Sequence, residues 1–114
     1  MQSDDDRRLR RWFTEFNKKW WNGMLGDGAE IEVYFGTCEG DHGMYAYCED
    51  YADEKVEGFE ICIDQLWVTH DRIAKKWLLH EMAHVAVHPY PWEGIIFQNE
   101  MKRLALAGAF KGIW

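Results

Sequence analysis

Apolar residues recur at helical spacing near the start of the chain. Five of them lie three or four positions apart, with arginines and lysines between them: Leu9, Trp12, Phe13, Phe16 and Trp20. This spacing predicts an amphipathic helix over residues 6–21. Asn22 and Gly23 follow it and are typical of the end of a helix.

Three later segments alternate apolar and polar positions with the period of two that is typical of strands. They are EIEVYF (30–35), GMYAYC (43–48) and GFEICID (58–64). Gly- and acid-rich connections separate them. We therefore expect a small three-stranded sheet, antiparallel or mixed.

The stretch WLLHEMAHVAVH (77–88) is apolar on nearly every side of a helix. It predicts a central, buried helix that begins near Thr69 or Asp71 and ends at His88, before Pro89 and Pro91. A last helix is expected over residues 93–107, with Gly108 as its C-cap and four apolar residues facing inward: Ile96, Phe97, Met101 and Leu104. The fold class predicted from these elements is α+β.

Length and composition indicate one domain over residues 1–114, with an apolar content of 47% that is typical of a folded protein. The net charge of −7 is unevenly distributed. Between Arg7 and Trp21 six basic residues accompany one acid, whereas between Asp27 and Asp64 twelve acids accompany one lysine. Nucleic-acid interfaces usually show a basic face, and only the first helix offers one, so a solvated helix face is the favoured interpretation.

No apolar run is long enough to span a bilayer, and the first residues lack the apolar core of a signal peptide. We therefore expect a cytoplasmic protein that is not a membrane protein. The three cysteines (Cys38, Cys48 and Cys62) form no CxxC pair, so we expect free thiols, with a Cys38–Cys48 disulfide as the alternative.

His80 and His84 are four residues apart, which places both imidazoles on one face of the predicted helix. Two histidines at this spacing can bind one zinc ion. Glu81 follows the first of them and completes the HExxH pattern of zinc peptidases, in which the glutamate is the general base for the attacking water. A buried polar cluster without metal, or a metal site without catalysis, are the alternatives.

His88 continues the same helix face and is the obvious candidate for a third ligand. However, residues eight apart on a helix are separated by about 12 Å along its axis, too far for His80 and His88 to share an ion with His84 between them. His88 could reach the metal only if the helix unwinds before Pro89. His42 and His70 lie in a turn and at a helix start, and both are expected away from the metal.

Nearly the whole chain resembles the SprT-like zinc metalloprotease domain, the fold of bacterial SprT and of the protease part of Spartan. The resemblance is carried by four segments: WFTEFNKKWWNGML (12–25), EIEVYF (30–35), FEICIDQLW (59–67) and LLHEMAHV (78–85). It implies a minimal zincin-like domain with bound Zn²⁺, a protein or peptide as substrate, and peptide-bond hydrolysis. Nucleic acid is a further partner in part of that family, although the acidic charge of this chain does not support it.

The segment EGIIFQNEMKRL (93–104) resembles the family's His-Gly-x-x-Phe segment, whose histidine is the third zinc ligand. Here that position holds Glu93. A carboxylate is an ordinary zinc ligand, so the resemblance implies a site of His80, His84 and Glu93, with His88 and Glu100 as the alternatives.

Two other functions remain open from the sequence. HEMAHVAVH (80–88) also resembles the HExxHxxxH segment of ImmA/IrrE-type regulatory peptidases. A non-catalytic, zinc-stabilised module that binds a protein through exposed aromatic residues such as Trp67, Trp92 and Trp114 is the other alternative.

Overall fold

The computed structural model describes residues 3–26, 29–37, 43–47, 58–88 and 94–113, with the backbone alone over 43–47. These residues form three helices and three strands, joined before the second helix by a short 3₁₀ turn, Gln65–Trp67. In chain order the elements are α1 (Asp4–Trp21), β1 (Glu30–Gly36), β2 (Gly43–Tyr47), β3 (Gly58–Asp64), α2 (Asp71–Val87) and α3 (Ile95–Ala107). The α+β class predicted from the sequence is confirmed. No helix in these ranges is long and apolar enough to cross a membrane.

The strand β3 has a neighbour on each side. It pairs in parallel with β1, where Val33 lies opposite Ile61, and in antiparallel with β2, where Ala46 lies opposite Phe59. The strand order is therefore β1-β3-β2. Because β3 is central, its side chains are more deeply buried than those of β1, and Ile61 and Ile63 are fully buried.

The helix α1 ends where its sequence predicts, before Asn22, and begins two residues earlier than predicted, at Asp4. Ser3 is its N-cap and accepts a hydrogen bond from the backbone N–H of Asp6, and three aspartates occupy the positive end of the helix dipole. Asn22 ends the helix in the left-handed conformation, with φ of 55°. Its apolar face buries Leu9 and Trp12 in the core.

The helix α1 also closes the outer edge of β1. The carboxylate of Asp6 accepts a hydrogen bond of 2.9 Å from the backbone N–H of Phe35, and the guanidinium of Arg10 donates to the backbone carbonyl of Ile31. Unpaired backbone groups at the edge of a sheet can pair with another strand. Here side chains of α1 form hydrogen bonds with two of these backbone groups. We call this arrangement the α1–β1 edge contact.

The helix α2 is the centre of the protein, as its apolar sequence predicts. One of its faces packs Leu78 and Met82 against α1 and the sheet, and the neighbouring face packs Leu79 and Ala83 against α3. All four side chains are fully buried. The polar residues of the HExxH pattern therefore lie on an element that is enclosed on two sides.

The helix α3 covers the second face of α2. Phe97 and Leu104 point inward, and Gly108 ends the helix with φ of 94°, a conformation that glycine adopts without a steric penalty. The predicted C-cap at Gly108 is confirmed.

The expectation of free thiols is wrong for Cys62. This buried residue of β3 is disulfide-bonded, and the two other cysteines, Cys38 and Cys48, lie outside the described residues. The cause lies in the strand order. Cys62 faces Tyr34 of β1 on one side and Gly43 of β2 on the other, so the sheet brings distant parts of the sequence together around it. Spacing along the chain carries no signal of such a pairing.

Candidate metal centre

The two histidines of the HExxH pattern direct the same ring atom toward each other. The Nε2 atoms of His80 and His84 are 3.2 Å apart. Two nitrogens bound at about 2.0–2.1 Å to one tetrahedral zinc ion would be separated by about 3.3–3.4 Å. The observed separation fits an edge of that tetrahedron. It also fits a hydrogen bond between two neutral imidazoles, which is the metal-free alternative.

Glu81 belongs to the same cluster. One ligand atom from each of His80, Glu81 and His84 lies within 4.8 Å of the others. Glu81 is only 3% exposed and His84 only 4%. These three side chains thus converge on one small volume inside the protein, where a charge is poorly solvated and a bound cation would interact strongly with a carboxylate.

The surroundings keep His84 neutral. Burial, and after it the charge that His80 can carry, lower the pKa of His84 from its usual 6.5 to about 4. A histidine binds a metal through the lone pair of its neutral imidazole, and protonation removes that lone pair. At neutral pH His84 is therefore in the form that a metal requires.

Aromatic rings form the walls around the two histidines. The ring of Phe97, from α3, lies parallel to the His84 imidazole, with centroids 3.9 Å apart and an angle of 5° between the planes. Phe97 also meets the His80 ring edge-on at 5.2 Å, and Trp77 meets the same ring at 5.3 Å. The sequence predicts that Phe97 faces inward but does not predict a role for it at the site. The one indication of such a role is its place in the Gly-x-x-Phe part of the family segment.

His88 does not join the cluster. It is the residue after α2, with φ of −54° and ψ of 136°, so the helix has ended there. Its ring packs edge-on against Phe59 of β3, with centroids 5.4 Å apart. The unwinding that would free His88 from the helix spacing is thus present, but the side chain is directed at the sheet.

The other candidate metal ligands have other partners or lie outside the described residues. Glu100 forms an ion pair with Arg103, and His70 is an exposed residue at the N-cap of α2, next to the hydroxyl of Thr69. Glu93 and His42 lie outside the described residues. Within the described ranges, no further histidine, cysteine or acidic residue completes the cluster of His80, Glu81 and His84.

The start of α3 lies close to the cluster. Gly94 is the N-cap of α3, and Phe97, which stacks on His84, is three residues further on. Three residues of helix rise by about 4.5 Å, so the chain enters α3 less than one helical turn from the ring that contacts the histidines. Glu93 is the residue that directly precedes this N-cap.

Comparisons with known proteins identify no relative. No protein-family model matches the chain, and the curated proteins and solved structures compared with it give no match either. The assignment of a function therefore depends on the geometry of the cluster and on the sequence resemblance.

Proposed function

We propose that the protein is a zinc-dependent metallopeptidase with a minimal zincin-like fold of the SprT-like type. The observation that carries this proposal is the convergence of the HExxH side chains, with the Nε2 atoms of His80 and His84 3.2 Å apart, close to the edge length of a zinc tetrahedron. Two imidazoles, of which that of His84 is neutral at pH 7, and a carboxylate beside aromatic rings are a donor set that suits Zn²⁺.

Each residue has a distinct role in this proposal. When bound, zinc would polarise the substrate carbonyl and lower the pKa of water at the site. His80 and His84 hold the ion, and Glu81 accepts a proton from the attacking water and passes it to the leaving amine nitrogen. Phe97 and Trp77 exclude bulk water from the two imidazoles, which strengthens the electrostatic interactions at the site.

The third ligand in this proposal is Glu93. In the sequence it directly precedes Gly94, the N-cap of α3, and the resemblance assigns a ligand to this position. His88 is directed toward Phe59 and Glu100 is paired with Arg103, so the structure favours neither alternative. A set of two histidines and one glutamate leaves a fourth position for water.

The substrate we propose is an extended peptide that lies along β2. An extended peptide can gain affinity by adding to a sheet edge through main-chain hydrogen bonds. The α1–β1 edge contact occupies the outer edge of β1, and β2 lies at the other end of the strand order. Substrates with N-methylated amides beside the scissile bond should be cleaved much more slowly, and equal cleavage rates would contradict this mode of binding.

The basic residues of α1 give little support to a nucleic-acid partner. Arg7 pairs with Asp4, and Arg8 pairs with Asp5 and donates to the carbonyl of Val68. Arg10 binds the edge of β1. These guanidinium groups have structural partners within the protein, so we propose a protein or peptide as the partner.

Glu81→Gln tests the enzyme mechanism. This variant should keep its zinc and its fold but lose proteolysis by a factor of about 10²–10⁴, because the water loses its general base while the ligands remain. Chelation of the metal should abolish the wild-type activity, and added zinc should restore it. Unchanged proteolysis in Glu81→Gln, with metal content confirmed, would exclude the proposed role of Glu81.

A further inference from the structure

We propose that Phe97 is the positioning residue of the metal centre: its ring fixes the imidazoles of His84 and His80 in the orientation that binds the ion. This inference rests on the proposed function, since it concerns the same site. It assigns to α3 a role in setting metal affinity that is separate from the supply of a ligand.

The ring of Phe97 stacks on the imidazole of His84. The two rings are nearly parallel, and their centroids are only 3.9 Å apart. A flat ring in face contact with another cannot turn about its own side-chain bond without a clash. The stack therefore restricts the His84 imidazole to the plane in which its Nε2 atom faces that of His80, at 3.2 Å.

The ring of Phe97 also contacts the imidazole of His80. Its ring is half-buried and meets two aromatic rings edge-on, Phe97 at 5.2 Å and Trp77 at 5.3 Å, each at an angle of 74°. Edge-to-face contact at this distance is a favourable geometry for aromatic pairs. Phe97 is thus the residue of α3 that touches both imidazoles, through its face on one and at an inclined angle on the other.

Phe97 is itself held by a packed apolar cluster. Its side chain is 8% exposed and belongs to a buried apolar cluster with six other residues: Leu79, Ala83, Val87, Leu104, Ala109 and Phe110. A ring held by a packed core can transmit that rigidity to the ligands. Ligands that are ordered before the metal binds lose less conformational freedom on binding, so the affinity is higher.

Groups that orient metal ligands typically change metal affinity by about 10- to 100-fold when they are removed. In most zinc sites such a group is a hydrogen-bond acceptor for the second ring nitrogen. Here an aromatic face performs the same task, and we expect an effect in the same range for Phe97.

The experiment compares two ring-free variants with a ring-preserving one. Phe97→Leu removes the flat face, Phe97→Met fills the space with an unbranched chain if Phe97→Leu does not fold, and Phe97→Tyr keeps the ring. Zinc affinity is measured by competition with a chromophoric chelator. The visible spectrum of the cobalt-substituted protein reports the ligand geometry.

Leu104→Ala is the matched control. Leu104 is fully buried in the same helix and the same apolar cluster, so its loss should lower the melting temperature by creating a cavity. We expect its zinc affinity to stay within about threefold of wild type, while that of Phe97→Leu falls by about 10- to 100-fold. Phe97→Tyr should remain close to wild type.

A metal-free readout tests the stack directly. In the apo protein the ring protons of His84 lie over the face of Phe97, so their NMR signals should be shifted upfield by the ring current and should lose that shift in Phe97→Leu. Wild-type zinc affinity in Phe97→Leu, or an equal loss in Leu104→Ala or Phe97→Tyr, would overturn the inference.

The outcomes also separate this inference from the proposed function. A wild-type protein that binds zinc but shows no proteolysis leaves the role of Phe97 intact and removes the enzyme. A wild-type protein that binds neither zinc nor cobalt overturns both.

Discussion

The α1–β1 edge contact and the contact between α2 and α3 both contain charged or ionisable side chains, but in different surroundings. Asp6 and Arg10 lie at the rim, half-buried, and each binds a backbone group of β1. Glu81 and His84 lie inside the protein, 3% and 4% exposed, and His84 stacks on the ring of Phe97. Burying a polar group costs free energy, whereas a polar group at the rim keeps part of its hydration.

The two sets of polar side chains differ in whether the fold requires them. The outer backbone groups of β1 require partners, and Asp6 and Arg10 provide them, so those two side chains are explained by structure. Positions 81 and 84 could hold apolar side chains and still pack α2 between the sheet and α3. The polar residues at these positions are therefore better explained by the metal that we propose.

The largest effect should come from the histidines themselves. His84→Ala or His80→Ala removes one ligand from the site and should abolish stoichiometric zinc binding, measured as metal content after purification and dialysis. The melting temperature of the zinc-loaded wild type should exceed that of either variant, because metal binding stabilises the folded state.

His70→Ala is the matched control for that experiment. His70 is an exposed histidine at the opposite end of α2, and its removal should leave the metal content unchanged. A metal-replete, stable His84→Ala protein would show that the buried histidines are a structural cluster. The burial of polar residues between α2 and α3, in contrast to the α1–β1 edge contact, would then have no functional explanation.

The third ligand gives the next largest effect. Glu93→Ala should weaken zinc binding severely, because a site with two protein ligands is incomplete, whereas His88→Ala should change it little since His88 packs on Phe59. Glu100→Ala should also have little effect. Zinc titration of the three variants checks this order, and a severe loss in His88→Ala alone would assign the ligand to His88.

The elements of the fold could be predicted from the sequence because each has its own period or cap. The amphipathic spacing of α1, the apolar run of α2 and the C-cap at Gly108 depend on interactions within a few residues of each other. The pairing of β1 with β3 and the disulfide of Cys62 depend on the strand order, which local patterns do not encode.

The candidate site divides in the same way. Helix geometry places His80 and His84 on one face with Glu81 next to them, so the HExxH spacing was enough to predict that the three lie together. The stack of Phe97 on His84 depends on how α3 packs across α2, and the contact of His88 with Phe59 depends on where α2 ends against the sheet. Neither contact has a signature in the spacing of residues.

A smaller effect is expected at the α1–β1 edge contact. Asp6→Ala leaves the backbone N–H of Phe35 without its acceptor and should lower the free energy of unfolding by about 1 kcal/mol or somewhat more. Zinc affinity should be unchanged, because α1 contributes nothing to the metal cluster. Urea denaturation and zinc titration of the same variant measure the two quantities.

Asp4→Ala is the control for this variant. Asp4 also lies in the first turn of α1, but it is highly exposed and its ion pair with the neighbouring Arg7 is at the surface, so its loss should cost less than that of Asp6. Equal destabilisation by the two variants would mean that the helix dipole, and not the bond to Phe35, explains the role of Asp6.

The smallest effect concerns the pH dependence of the metal-free protein. The pKa of His84 is lowered to about 4 in the folded state from 6.5, chiefly by burial, so the unfolded state binds more protons between these values. The folded apo protein should therefore lose stability as the pH falls below about 7, by less than about 1 kcal/mol between pH 7 and pH 6. His80 and Glu81 face the same cluster and can titrate with it, so the measured quantity is the difference between wild type and His84→Gln in urea denaturation at the two pH values. A stability difference that does not change with pH would show that His84 is protonated as easily in the fold as in the unfolded chain. Burial would then not distinguish this residue from the hydrated side chains at the rim.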